Sequence, residues 1–430
     1  MPDEGDRPGE HDASPFRFVR RFLVARFVVS MATQMQGVAL GWYVYALTGS
    51  AFDLGLIGLV QFLPLAGLSL PAGHIVDRYS RRHVVLTTFA VETLGSLVLT
   101  ALVIAGVGGI GAIFLVITIY GACRAFEQPA MHSWLPTLVS PAGYPRAAAA
   151  NSLVSQAAVI VGPALGGFVY LLGPSVPFFA AALLQSAGLI CALTLPVPRR
   201  SGGEKLSWNA LLGGVRFIAR TETVRGAISL DLFCVLFGGA VALLPIFARD
   251  ILHIGPAGLG FLRSAPALGA LITGIVLTRR PPQRKVGPRM MIAVAIYGAA
   301  TLVFGVSTNL WLSLAALVAV GGADMLSVVI RSTLVQVVAP NAIRGRVAAV
   351  NSLFTGASNQ LGQFESGVTA AWFGPVGSVV LGGIATILIV ALWSRWFPAL
   401  RFMDRLVPEE AAVDRPRAEV SGSPHPLRGR

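Results

Sequence analysis

Residues 73–82 read GHIVDRYSRR and stand at the junction of two apolar runs, residues 54–76 and 84–105. Each run is about twenty residues long, which is the length that an α-helix needs to cross the hydrocarbon layer of a membrane. A short basic segment between two such runs indicates two spanning helices whose connection stays on one side of the membrane. The rest of the chain repeats this arrangement.

Twelve apolar segments of this kind occur along the 430 residues. Hydrophobic residues make up 54% of the chain and charged residues only 12%, about half the charged share of a soluble domain. This composition excludes a soluble enzyme, a disordered chain and a disulfide-stapled secreted domain. The predicted segments lie near residues 21–47, 54–76, 84–105, 110–132, 146–171, 176–196, 226–249, 256–278, 289–307, 309–331, 346–372 and 376–397.

Basic residues indicate how these segments are oriented. The net charge is +13, and the Arg and Lys residues concentrate in every second connection, which is typical of cytoplasmic loops. Among the remaining connections only Arg249 occurs, next to Asp250. We therefore expect twelve crossings with both termini in the cytoplasm. The membrane topology then explains the positive net charge, and we expect no nucleic-acid partner.

The two halves of the chain repeat at an offset of 200 residues, which indicates duplication of a six-helix unit. Two such halves around a site at the membrane midplane form a transporter architecture. The clearest matches are Asn151, Ser152 and Leu153 with Asn351, Ser352 and Leu353, and Gly55 and Gly58 with Gly255 and Gly258.

The predicted organisation is a six-helix half on each side of a cytoplasmic linker. In chain order we expect an N-terminal arm (1–20), the first half (21–196), the linker (197–225), the second half (226–397) and a disordered cytoplasmic tail (398–430). Within the linker, the spacing from Trp208 to Ile218 predicts an amphipathic helix. Two placements remain open for it, at the membrane surface or packed on the ends of the spanning helices.

The segment at residues 73–82 resembles the G-x-x-x-D-R-x-G-R-R signature of the major facilitator superfamily. The matching positions are Gly73, Asp77, Arg78, Arg81 and Arg82, while Ser80 replaces the second Gly. The resemblance implies that Asp77 locks the two halves together in the outward-facing state. In physical terms, Gly73 permits close helix contact and Asp77 suits the positive end of a helix dipole. The alternative is that the three Arg residues only determine topology.

The fifth segment contains a second motif at residues 162–167, with Gly162, Pro163, Gly166 and Gly167 in the pattern G-P-x-x-G-G. It looks like the antiporter motif of superfamily exporters, which implies export. The alternative is a packing face of small residues. Together with residues 42–48 and 124–130, this motif resembles the enterobactin-exporter-like branch, also called transmembrane secretion effectors, over about residues 16–400.

Charged residues inside the segments are candidates for a transport pathway, because each costs several kcal/mol in hydrocarbon unless it is paired or wet. The resemblance implies that the first, fourth, seventh and tenth helices line the cavity. The candidates for the proton and substrate pathway are Arg124, Glu127, Asp231, Asp324, Glu92, Glu365 and the polar Gln34. For Glu92 and Gln34, the alternatives are a buried hydrogen-bonded carboxyl and a polar packing group.

Arg124 and Asp324 are equivalent in the repeat and opposite in charge. Their helices are expected to face each other, so we predict a pair across the cavity, with Asp231 as the next proton carrier. The alternative pairs Arg124 with Glu127, which lies one helical turn away.

The sequence contains no convergent catalytic residues, no metal-ligand spacing among its His and Cys residues and no nucleotide-binding motif. We therefore expect no enzymatic activity, no cofactor and no metal. The prediction is an all-α secondary transporter, monomeric in the cytoplasmic membrane of a bacterium. It would export small amphipathic molecules, drug- or siderophore-like, by proton antiport with alternating access. The alternatives are a proton-coupled uptake symporter and a non-transporting membrane partner protein.

Reporter fusions test the predicted topology. Fusions placed after Gly49, Gly173 and Gly374 should report the outside, because these sites lie in connections without an excess of basic residues. Fusions after Arg82 and Arg284 serve as controls and should report the cytoplasm. Cytoplasmic readings at the first three sites would overturn the orientation.

Overall fold

The computed structural model describes residues 14–106, 109–197, 208–340 and 343–405, and every regular element within those ranges is helical. Residues 1–13 of the predicted N-terminal arm, 198–207 of the linker and 406–430 of the tail lie outside the described residues. The first helix begins at Ser14, within the predicted arm. The first half is built from six long helices: α1 (Ser14–Thr48), α2 (Ala51–Arg78), α3 (Arg81–Ala105), α4 (Ile110–Trp134), α5 (Tyr144–Tyr170) and α6 (Val176–Leu193).

The second half follows a short connecting helix, α7. The connecting helix α7 covers Trp208–Arg220. The helices of the second half are α8 (Glu222–Phe237), α9 (Gly255–Arg279), α10 (Val286–Val306), α11 (Leu310–Val338), α12 (Arg344–Trp396) and α13 (Pro398–Arg401). Beyond α8, short helical turns continue the same span to Ile251, for 30 residues in all.

Eleven helices in the described ranges are long and apolar enough to cross a membrane. The last of them, α12, has 53 residues and breaks at Gly374, whose φ of 76° and ψ of 164° are not helical. A residue without a Cβ adopts this φ at little cost, and Pro375 then begins the second arm. Since α12 holds two membrane-spanning lengths, the chain has the twelve crossings that the sequence predicts.

The two halves pack together at one end of the bundle, which we call the closed end and which holds the end of α1 and the start of α2. There α2 meets α12, and α5 meets α9. A Cβ added to Gly55 would lie 2.7 Å from the Cα of Gly367, so these two backbones are in direct contact. Between α5 and α9, Ser264 Oγ donates a hydrogen bond to the carbonyl oxygen of Ile160 over 2.6 Å.

At the opposite end, the open end, the same faces of these helices do not meet. A Cβ on Gly356 of α12 would have nothing within 4 Å, and Leu353, one turn further, is 45% exposed. On the facing pair, Leu153 of α5 is 66% exposed and Ile275 of α9 is 49% exposed. The halves are therefore joined at the closed end and spread apart at the open end.

A polar contact also joins the halves at the closed end. The Tyr45 hydroxyl, near the end of α1, donates a hydrogen bond to the carboxylate of Asp250. Arg249 stands over the Tyr45 ring, with its guanidinium carbon 5.5 Å from the ring centre, and its Nε lies 3.8 Å from Asp250 Oδ1. Arg249 and Asp250 are exposed and Tyr45 is buried, so this contact adds to the glycine contacts at the closed end.

The connecting helix α7 packs on the start of α12. A Cβ on Gly214 would lie 3.0 Å from the carbonyl oxygen of Arg346, and Ile218 is buried in the core of the second half. Leu212 and Val215 are exposed on another face. The side chains of Trp208 and Leu211 lie outside the described residues. Through Gly214 and Ile218, α7 is attached to the second half at the open end.

Alanine substitutions on α12 test the close contact at the closed end. Gly367→Ala should lower the stability of the purified protein by about 1–3 kcal/mol, because the new methyl group meets the α2 backbone. Gly356→Ala on the same helix is the matched control, and it should be neutral or stabilising by up to about 1 kcal/mol through helix propensity. Thermal unfolding in detergent measures both. Equal effects at the two positions would contradict the described packing.

Candidate translocation site

The second half holds a buried ion pair between α8 and α11. Arg331 Nη2 lies 3.0 Å from Asp231 Oδ2, and the two side chains are only 3% and 5% exposed. Arg331 Nη1 also donates hydrogen bonds to Asn351 Oδ1 over 2.7 Å and to Thr355 Oγ1 over 2.9 Å, both on α12. The guanidinium thus ties three helices together, and its charge is balanced within the half.

Asp324 lies two helical turns before Arg331 on α11 and lines a small cavity with Asp231 and Tyr297. Among the described side chains it forms no ion pair, since Arg331 is engaged by Asp231. This cluster therefore contains two neighbouring carboxyl groups and one guanidinium group. The predicted role of Asp324 as a proton carrier remains a prediction.

The first half holds a second charged cluster. Arg26 Nη1 on α1 lies 3.4 Å from Glu127 Oε1 on α4. Glu92 on α3 is buried in the same region, and its Oε2 atom has no hydrogen-bond partner among the described groups. The Arg26 guanidinium therefore balances the charge of Glu127.

A network of uncharged polar groups surrounds this cluster. Gln36 Nε2 on α1 donates to Ser96 Oγ and to Tyr120 Oη, each over 3.1 Å. Ser96 Oγ donates to Gln185 Oε1 on α6 over 2.6 Å. The network links four helices and adjoins a cavity of about 30 Å³, which is large enough for a water molecule.

Two further arginines stand where the halves meet. Arg124 Nη1 on α4 donates to Gln61 Oε1 over 3.3 Å. The same oxygen accepts a long hydrogen bond of 3.5 Å from Gln360 Nε2 on α12, in the other half. From α9, Arg263 Nη1 reaches the carbonyl oxygen of Gly37 on α1, also at 3.5 Å. Charged and amide groups from both halves therefore face one region.

The predicted pair of Arg124 and Asp324 is not formed in this conformation. Arg124 contacts Gln61 in its own half, and Asp324 shares a cavity with Asp231 in the other half. The alternative, Arg124 with Glu127, is not the ion pair observed either, since Glu127 pairs with Arg26. Each half balances much of its charge internally, and the repeat relationship alone does not bring the two residues together.

The segment at residues 73–82 lies at the open end. The backbone of Asp77 is within α2, but its side chain lies outside the described residues, so its locking role remains a prediction. The expectation of close helix contact at Gly73 is wrong in this conformation, because a Cβ there would have nothing within 4 Å. The spreading of the halves at this end explains the difference.

Two arginines of the same segment bind carbonyl groups near the ends of other helices. Arg81 Nη1 donates to the carbonyl oxygen of Ser133 on α4 over 3.0 Å. Arg82 Nη2 donates to that of Leu193, the last residue of α6, over 2.6 Å. The negative ends of helix dipoles favour such cations. Arg78 is exposed. Arg81 and Arg82 therefore hold the start of α3 against its neighbours.

The motif at residues 162–167 packs against two different helices. A Cβ on Gly162 would lie 2.7 Å from Gln34 Cβ, and one on Gly166 would lie 2.6 Å from the Met35 carbonyl oxygen, so both glycines face α1. Gly167 and Pro163 face α9 in the other half, where they meet the backbone at Pro256 and Gly260. The motif thus joins one helix of its own half to one of the other.

Two predicted pathway residues lie away from the charged clusters. Gln34 packs against Gly162 of α5, which agrees with the alternative that Gln34 is a polar packing group. Glu365 is partly buried on α12, two residues before the glycine that contacts α2. Neither residue is brought to the two clusters in this conformation.

Sequence reasoning missed the residues that neutralise the predicted carboxylates. Arg331 stood at the last position of the predicted segment 309–331 and so counted as a boundary residue. In the structure α11 continues to Val338, which places Arg331 two turns inside the helix. Arg26 lay within the first predicted segment as an isolated basic residue. The signal available for both was a lone Arg within an apolar stretch.

A double-mutant cycle tests the ion pair in the second half. Arg331→Gln alone should destabilise the protein by about 3–5 kcal/mol, because it leaves the Asp231 carboxylate buried without a partner. Adding Asp231→Asn should recover a large part of that loss. Thermal unfolding provides the readout, and a parallel cycle on Arg124 and Asp324 is the control, for which we expect coupling near zero. Additive effects at the first pair would contradict its assignment.

Known proteins resemble this chain in sequence over most of its length. The family model described as transmembrane secretion effector matches residues 13–421. The enterobactin exporter EntS of Escherichia coli strain K12 is 24% identical over 400 residues, covering 92% of this chain and 95% of that protein. The counterpart from Escherichia coli O1:K1 / APEC is also 24% identical, over 402 residues.

Solved transporters share the fold at low sequence identity. A bacterial homologue of the human lysosomal transporter Spinster, in an inward-facing and occupied conformation, aligns with a TM-score of 0.72 and 14% identity, over 93% of this chain and 100% of that one. A mutant of the nucleoside transporter NupG aligns with a TM-score of 0.71 and 14% identity, over 89% and 99%. These matches confirm the predicted all-α fold of two six-helix halves. The chain therefore belongs to the transmembrane secretion effector family of the major facilitator superfamily, and it is a membrane transporter and not an enzyme.

Proposed function

We propose that this protein exports small amphipathic molecules of the siderophore-like class by proton antiport, with the two halves alternating access. Two observations together carry the proposal. The halves are joined at one end only, and charged groups lie in the interior, both within each half and between the halves. A monomer in the cytoplasmic membrane of a bacterium suffices for this mechanism, because each half supplies its own charged cluster.

The open end is the side from which substrate would enter. By the distribution of basic residues, the connection from α2 to α3 and the helix α7 belong to the cytoplasmic side, and both lie at the open end. An exporter loads its substrate from the cytoplasm, so this conformation corresponds to the loading state. Release then requires the contacts of Gly55 with Gly367 and of Tyr45 with Asp250 to part while the open end closes.

Buried carboxyl groups would carry the protons. Asp324 has no ion-pair partner among the described side chains, and Asp231 beside it is held by Arg331. In the first half, Glu127 is paired with Arg26, and Glu92 is buried in the same region. A carboxyl group in a low-dielectric site exchanges its proton when a neighbouring cation approaches or withdraws. Relative movement of the halves would change those distances and so link proton exchange to conformation.

The substrate class rests on the relatives and on the motif at residues 162–167. Both relatives described above are named enterobactin exporters, and the G-P-x-x-G-G pattern is that of superfamily antiporters. The same motif lies where α5 meets both α1 and α9, at a contact that must change when the halves rock. These observations favour export over the uptake alternative.

Reconstitution into proteoliposomes tests the proposed function, with enterobactin as the transported probe. An imposed pH gradient should drive its accumulation without nucleotide, and Asp324→Asn should reduce gradient-driven accumulation at least tenfold while substrate exchange persists. Asp53→Asn, at the start of α2 and outside the charged clusters, is the matched control and should leave transport unchanged. Accumulation that ignores the pH gradient would reject proton coupling. A folded protein that does not move enterobactin would reject the substrate class.

A further inference from the structure

We propose that Arg263 and Arg124 form an anion-binding site between the two halves and that the transported molecule places an oxyanion there, as a carboxylate or phenolate. The proposal rests on the proposed function, since it describes the substrate of the same pathway. It assigns to the second half a binding residue, Arg263, that lies outside the two charged clusters.

Four arginines that lie more than a turn inside their spans fall into two classes. Arg26 lies 3.4 Å from the carboxylate of Glu127, and Arg331 lies 3.0 Å from that of Asp231. Arg124 and Arg263 form no ion pair within the described part of the chain, and their hydrogen bonds go to an amide oxygen and a backbone carbonyl. An unpaired guanidinium inside the membrane is costly. The two unpaired groups therefore call for a separate explanation.

Gly37 of α1 lies between these two arginines and the cavity that they flank. The Arg263 guanidinium lies over this glycine, and a Cβ there would be 3.5 Å from Arg263 Nη2. Gly37 and Arg124 line the same cavity, together with Gln61. Arg263 therefore lies beside the cavity that Arg124 lines. Two adjacent cations without a counter-charge create a positive potential that attracts an anion.

The protein's own carboxyl groups do not supply this counter-charge. Glu92 lines the cavity beside Arg124, but within the described part of the chain the two side chains form no ion pair, and Glu127 is paired with Arg26. Asp324 lies in another cavity, within the second half. In the loading state, the anion that would neutralise Arg124 and Arg263 must therefore come from outside the chain.

The position between the halves also suggests why the site would serve transport. Arg124 belongs to the first half and Arg263 to the second, so one oxyanion that accepts hydrogen bonds from both would bridge them. Beside them, Gln61 and Gln360 bridge the halves through a long hydrogen bond. Gln360 Oε1 is buried without a partner, so it can accept a hydrogen bond from a substrate hydroxyl group.

Stability without any ligand provides the first test. Arg263→Met keeps the apolar length of the side chain and removes a charge that has no partner, so the variant should unfold at the same temperature as the original protein or higher. Arg331→Met is the matched control, and it should unfold at a clearly lower temperature because it strands Asp231. A drop for Arg263→Met as large as that of the control would show a structural partner for Arg263 and overturn the proposal.

Binding to the purified full-length protein in detergent provides the second test, with 2-naphthoate as the anionic probe and 2-naphthamide as its neutral counterpart. The original protein should bind naphthoate more tightly than naphthamide. Arg263→Gln should weaken naphthoate binding about ten- to a hundredfold, as expected for the loss of a charge-assisted hydrogen bond, and change naphthamide binding less than about threefold. Calorimetry measures both constants.

Arg279→Gln, at the exposed end of the same helix, is the control and should change neither constant. Equal affinity for the two probes, or a naphthoate affinity that Arg263→Gln leaves unchanged, would overturn the anion site. These measurements use no gradient and no membrane. Failure here together with gradient-driven enterobactin transport would therefore reject only the anion site, whereas failure of that transport alone would reject the proposed function.

Discussion

A charge within the hydrocarbon layer is costly unless it is paired or hydrated, and the pairing of charges within each half organises much of the interior of the protein. The ion pair of Asp231 with Arg331 joins α8 to α11 and, through two further hydrogen bonds, to α12. In the first half, the ion pair of Arg26 with Glu127 joins α1 to α4. Because each half satisfies these groups itself, it can move as a unit without breaking its own ion pairs.

The contacts between the halves are of a different kind. At the closed end they consist of backbones in direct contact, as at Gly55 and Gly367, of a hydrogen bond to the main-chain carbonyl of Ile160, and of the hydrogen bond from Tyr45 to Asp250. Small residues allow close packing in a membrane, where no hydrophobic effect drives helices together. The buried ion pairs thus lie within the halves, and the contacts between the halves are packing contacts and hydrogen bonds.

The sequence predicted the fold and many of the charged residues of the site, but not the ion-pair partners of those residues. Apolar runs and loop charges identified the spans, and the G-P-x-x-G-G pattern identified a helix contact that the structure shows on both sides of α5. Partners were harder, since they depend on the rotation and tilt of each helix. Arg124 and Asp324 are equivalent in the repeat, yet each lies among groups of its own half. Arg331 lay at the end of a predicted segment, whereas the helix α11 continues for two further turns. The helix contact predicted for Gly73 depends on the conformation of the transporter, which the sequence does not specify.

The break in α12 has a consequence for how the chain enters the membrane. Its two arms are joined by one left-handed residue, Gly374, and not by a loop. Because no polar loop separates the two arms, they cross the bilayer most easily together, as a single helical hairpin. Trp372 and Phe373 are exposed just before the junction, and aromatic rings at this level favour the head-group region. The tip of the hairpin would thus be anchored as soon as it arrives, which helps to set the depth of the last two crossings during biogenesis.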